Sequence, residues 1–83
     1  MNGILFTFRS ITTAQRAQFV CRSKGVDSSL RRTPRRLEQQ GCGYCLVVAN
    51  QHGEKCARLF RENDIAFRRV YRLIGDYTEE IRL

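Results

Sequence analysis

The sequence predicts an α+β fold of the ferredoxin-like type, βαββαβ, on three observations. Segments of strand and helix character follow one another as strand, helix, strand, strand, helix, strand. The first and third strand segments, GILFTF and YCLVVA, are apolar on both faces, as central strands beneath helices are. The second and fourth carry arginines, residues that guard the edges of sheets. Together they give a four-stranded antiparallel sheet in the order 4-1-3-2, with two helices on one face.

The first strand, residues 3–8, is short, aromatic and β-branched. Ser10 supplies an N-cap for the helix ITTAQRAQFVCRSKG. Ala14, Ala17 and Cys21 recur on one side of it with Val20 beside them, and Gln15, Arg16, Gln18 and Arg22 fill the other side. Gly25 stops it. VDSSLRR (26–32) is a weaker strand, in which Val26, Ser28 and Leu30 alternate with Asp27, Ser29 and Arg31. TPRRLEQQGCG (33–43) is a loop that holds the only proline and ends in two glycines. YCLVVA (44–49) is the third strand. Asn50 caps a second helix over about 51–63, with an apolar stripe of Cys56, Leu59 and Phe60 that Ala57 extends. AFRRVYRL (66–73), with arginines at 68, 69 and 72, is the fourth strand. Gly75-Asp76 turns the chain into a tail to which the sequence assigns no structure. One domain therefore spans 1–83, with its core in 3–73 and a short tail over 74–83.

A domain of 83 residues buries only about 60–65% of the surface of its unfolded chain, so a dimer contact or a ligand would help its core. The net charge is +7, and all of the 15 basic residues except Lys24 and Lys55 are arginine, the side chain suited to bidentate contact with phosphate or carboxylate. The longest apolar run, Cys45 to Ala49, is far short of a membrane span. MNGILFTFRS has neither the basic start nor the long apolar stretch of a signal peptide. The expectation is a cytoplasmic protein without membrane contact, whose four cysteines stay reduced.

Cys42 and Cys45 form a C-x-x-C at the entrance to the third strand. In the expected topology this end of the strand lies near the start of the first helix, where Thr12, Thr13 and free backbone N–H groups gather. The helix dipole, together with Arg31, Arg32, Arg35 and Arg36, would favour a thiolate at Cys42 and lower its pKa below the ordinary thiol value. A metal is not expected. Cys42, Cys45, His52 and Cys56 spell C-x2-C-x6-H-x3-C, but a strand advancing about 3.3 Å per residue puts His52 roughly 20 Å from Cys42. Cys21 and Cys56 lie on apolar helical faces and read as small buried hydrophobes.

The entry FTF-R-S-x-T-x-A, the loop Pro34-Arg35-x-Leu37, and Cys42-Gly43 followed by an apolar strand resemble the selenium/sulfur carrier-like family of small bacterial proteins, largely of unknown function. The resemblance covers about residues 3–73. It implies a ferredoxin-like domain in which the cysteine before glycine, here Cys42 with Gly43 beside it, carries sulfur or selenium as a persulfide or selenide. Cys45 has a supporting place in that pattern. The loop departs from it, with EQQGC where many members have a serine-rich approach.

The chemistry is consistent with that role. A carrier needs an activated, accessible thiolate, and the glycines Gly41 and Gly43 permit close backbone approach. A second thiol two residues on could release the sulfur by forming a disulfide. No cofactor is expected, since GxGxxG and GxxxxGK[ST] are both absent. A carrier is favoured over a stand-alone enzyme, with a cysteine desulfurase or other sulfur or selenium donor and an acceptor protein as partners. Two alternatives use the same residues or charge. One is a dithiol redox or regulatory protein acting through Cys42 and Cys45, although the strand-to-helix placement of a thioredoxin motif is missing. The other is a basic nucleic-acid-binding module, which is disfavoured because GYCLVVAN does not supply the RNP-1 pattern.

Overall fold

The computed structural model describes residues 2–37 and 43–83. Strand β1 runs Asn2–Phe8, helix α1 Ile11–Ser23, β2 Ser29–Arg32 and β3 Tyr44–Val48. A single 3-10 turn, Asn50–His52, leads into α2, Gly53–Glu62, and β4 (Val70–Ile74) and β5 (Tyr77–Ile81) complete the fold. All pairings are antiparallel, in the order β2-β3-β1-β4-β5.

The four expected strands keep their order, but the sheet has five strands rather than the four of the expected ferredoxin-like arrangement. The difference lies in the tail. Gly75-Asp76 closes a tight hairpin, with Gly75 at φ 58°, and Tyr77–Ile81 returns along β4 from Ile74↔Tyr77 to Val70↔Ile81. β4 is therefore an inner strand rather than an edge. Its arginines meet carboxylates of β5: Arg72 pairs with Glu79 at 3.2 Å, and Arg69, just before β4, with Glu80 at 3.5 Å.

Helix caps set the other boundaries. The Ser10 hydroxyl accepts the Thr13 N–H at 3.2 Å and starts α1. At its end the Gly25 N–H bonds to the Arg22 carbonyl and the Val26 N–H to that of Cys21, a Schellman motif with Gly25 at φ 75°. Val26 is thus spent on the helix end, buried against the core, and β2 begins at Ser29 instead of 26. α2 ends in the same way: Asp64 stands at φ 56°, and the Ile65 N–H reaches the Phe60 carbonyl at 2.8 Å.

Side chains alternate across the sheet. Ile4, Phe6 and Phe8 of β1, Leu46 and Val48 of β3 and Val70 of β4 meet Ala14, Ala17 and Cys21 of α1 and Cys56, Ala57 and Phe60 of α2, so both helices cover one face as expected. Phe60 lies at its centre, edge-on to Phe6, Phe8 and Phe67 with ring centroids 5.0–5.9 Å apart. Leu5, Cys45, Tyr71 and Leu73 form a second, smaller cluster on the other face.

Candidate functional site

Cys45 belongs to that second face. Its register neighbours are Thr7 on β1 and Arg31 on β2. The β2–β3 loop folds toward it. The Thr33 N–H bonds to the Gly43 carbonyl at 3.0 Å, closing the base of the loop, and the Leu37 N–H bonds to the Pro34 carbonyl at 2.9 Å in a turn. Leu37 packs on the cluster of Leu5, Cys45, Tyr71 and Leu73. The Arg36 guanidinium reaches across to β5 and donates to the Thr78 hydroxyl at 3.1 Å. These contacts frame a cavity of about 160 Å³. Arg31, Pro34, Arg36 and Thr78 stand around it, and Leu5, Val47 and Leu73 form its apolar floor beside Cys45.

Cys45 is only 1% exposed. Its thiol lies 3.8 Å from the Arg32 carbonyl and donates to it. Burial pushes its pKa above the ordinary thiol value. The nearby Thr33 hydroxyl and the Arg31 charge oppose that rise without cancelling it. The Thr33 hydroxyl is itself buried and meets no partner at hydrogen-bond geometry. Cys45 is thus held as a neutral thiol at physiological pH.

The expected site residues fall into three groups. Pro34 joins Cys45 at the cavity, Gly43 is buried at the loop base, and Arg35 is exposed. Thr12 and Thr13 start α1, which packs on the opposite face of the sheet, and the structure does not bring them to Cys45. Thr13 bonds to Ser10, and Thr12 lies with Gln15, Arg16 and Phe19. Gly41 and Cys42 lie outside the described residues. Sequence reasoning missed Thr78 as a site residue, because it stands in the unassigned tail. It also named Arg36 only as nearby charge.

The remaining thiols are close together elsewhere. Cys21 of α1 and Cys56 of α2 are fully buried and free, with sulfurs 3.7 Å apart. The two thiols share a hydrogen bond, which lowers the Cys21 pKa and, with burial, pushes the Cys56 pKa far up. Because Cys45 and Cys56 lie on opposite faces of the sheet, C-x2-C-x6-H-x3-C cannot close on one metal ion. Among the described residues no group of three or more His, Cys, Asp or Glu side chains could hold one. No described helix is long and apolar enough to cross a membrane.

The raised Cys45 thiol makes stability pH-dependent, whereas the paired Cys21 and Cys56 shift in opposite directions and oppose each other. Below the unfolded thiol pKa of about 8.5, both states are protonated and the stabilisation is complete. Above it the unfolded chain releases a proton that folded Cys45 retains, so stability falls as pH rises. One such thiol accounts for up to about 1.4 kcal/mol by about pH 9.5. Urea midpoints should drop between pH 7.5 and about 9.5, and Cys45→Ala should flatten part of the drop. An equal drop in wild type and variant would remove Cys45 from this account.

A family profile described as "Putative Se/S carrier protein-like" matches residues 3–72. Comparison with curated proteins and with solved structures returned no match.

Proposed function

Because the chain belongs to the Se/S carrier protein-like family, we propose that it carries sulfur or selenium, taken as a persulfide or its selenium analogue on Cys42 and passed to an acceptor protein. The family match over residues 3–72 carries this reading. The placement of Cys45 supports it. Two residues lie between the two cysteines, a reach of at most about 11 Å between Cα atoms. Cys45 stands beside the same loop and, with its pKa raised by burial, takes the releasing step slowly, so that sulfur stays on Cys42 long enough to meet an acceptor. Its sulfur attacks the inner sulfur of the Cys42 persulfide, the Cys42–Cys45 disulfide forms, the persulfide bond breaks, and hydrosulfide leaves with the Cys45 proton. A thiol reductant then restores both thiols. The donor is a cysteine desulfurase or an equivalent selenium source in a compartment that keeps thiols reduced, the cytoplasm.

Two observations weigh against the other readings. A thiol buried and raised in pKa, as Cys45 is, exchanges slowly, which disfavours a rapidly cycling dithiol. The inner strands carry Leu5, Cys45, Val47, Tyr71 and Leu73 on the sheet face away from the helices, and Tyr71 is buried there, so its ring is not offered for RNA bases to stack on.

Incubation with a desulfurase and cysteine should add about 32 Da per sulfur to the intact chain, since one sulfur joins one thiolate. Cys42→Ser should add nothing. Cys45→Ala should load but release its sulfur more slowly. Equal loading of wild type and Cys42→Ser would remove Cys42 from the role.

A further inference from the structure

The cavity on the open face of the sheet has the chemistry of a binding site that sulfur transfer at Cys42 does not require. Its floor is aliphatic: Leu5, Val47 and Leu73. Two arginines, Arg31 and Arg36, border it. Arg31 shares the face of Cys45 through the β2–β3 register, close enough for its charge to act on that thiol. Arg36 arrives from the loop and is anchored by Thr78. A guanidinium carries five N–H groups, and the bond to Thr78 uses one. Arg32, the next residue on β2, instead places its guanidinium over the Tyr44 ring, 5.7 Å from the centroid. No acidic side chain is among the described residues lining the cavity. Glu80, which shares this face through its register with Tyr71, is paired with Arg69. An apolar floor with positive charge at its rim selects an amphipathic anion over a fully hydrated one. The planar fork of arginine matches a carboxylate bidentately.

We infer that this cavity binds a small organic carboxylate with a short aliphatic chain, its head on Arg31 and Arg36 and its chain over Leu5, Val47 and Leu73. The Cys45 thiol lies beside the bound chain, so the occupant also shields it. A ligand of this size has few atoms with which to offset the entropy of association, so the expected affinity is in the millimolar range.

Butyrate is the probe, titrated into the isotope-labelled full chain at constant ionic strength and followed by amide NMR shifts. Saturable shifts are expected at Val47, Leu73 and Thr78. Arg31→Gln and Arg36→Gln should each weaken binding at least tenfold, while Arg82→Gln, a surface control, should leave it unchanged. Butanol, which lacks the charge, and sulfate, which lacks the chain, should bind at least tenfold more weakly. Cys42→Ser should bind as wild type does, so failure of the carrier reading and failure of this site are separable. Non-saturable shifts, equal affinity in Arg36→Gln with its fold intact by NMR, or equal affinity for sulfate would each overturn the assignment.

Discussion

Phe60→Ala is expected to cost about 3–5 kcal/mol, the usual range for emptying a buried phenylalanine site. Phe60 has no exposed surface and is the hub of the aromatic cluster, edge-on to Phe6, Phe8 and Phe67. Each such ring pair adds about 0.5–1.5 kcal/mol beyond area burial. A domain of this length has roughly 4–12 kcal/mol to lose. The melting temperature should therefore fall by roughly 15–30 °C, and the variant should be partly unfolded at room temperature if the wild type lies at the low end. Phe19→Ala is the matched control. Phe19 is 69% exposed on α1, and its loss should change stability by less than about 0.5 kcal/mol. A Phe60→Ala variant within about 1 kcal/mol of wild type would place the centre of the core elsewhere.

That core was legible in the sequence, and the reason is periodicity. Ala14, Ala17 and Cys21 repeat at helical spacing, as do Cys56 and Phe60, and the glycines at the end of the β2–β3 loop mark the start of the apolar run YCLVVA. What escaped was written in a weaker pattern. Tyr77–Ile81 is an edge strand with Glu79 and Glu80 at its middle, and its polarity gives it the look of a tail. The signal available was Gly75-Asp76 between Ile74 and Tyr77, a two-residue hairpin turn. The face of Cys45 was also obscured. YCLVVA is apolar throughout, so it does not announce which side meets the helices. Only the register, with Leu46 and Val48 packed beneath the helices, sends Cys45 and Val47 to the other side. The expected proximity of this motif to Thr12 and Thr13 took account of which end of the sheet it occupies and not of which face.

The four thiols should differ in reactivity by orders of magnitude. Cys21, Cys45 and Cys56 have 0–1% exposure, so a bulky alkylating reagent reaches them only through opening of the fold. An opening free energy of about 4 kcal/mol slows labelling roughly a thousandfold. Cys45 and Cys56 are further slowed at neutral pH because burial holds them protonated. Native wild type treated with a maleimide at pH 7 should take up one equivalent rapidly and three only on addition of denaturant. Cys42→Ser should lose the rapid equivalent. Rapid labelling of two or more thiols in the native chain would show that the packing around Cys45 or between α1 and α2 is looser than described.

The claim that Cys42 is the carrier is tested most directly by locating the transferred sulfur. The protein is loaded by a desulfurase with cysteine, persulfides are trapped by alkylation, and the digest is read by tandem mass spectrometry. The account predicts the added sulfur, about 32 Da, on Cys42, the residue before Gly43, with Cys45, Cys21 and Cys56 unmodified. Sulfur found on Cys45, Cys21 or Cys56 instead, or spread evenly over all four cysteines, would contradict it.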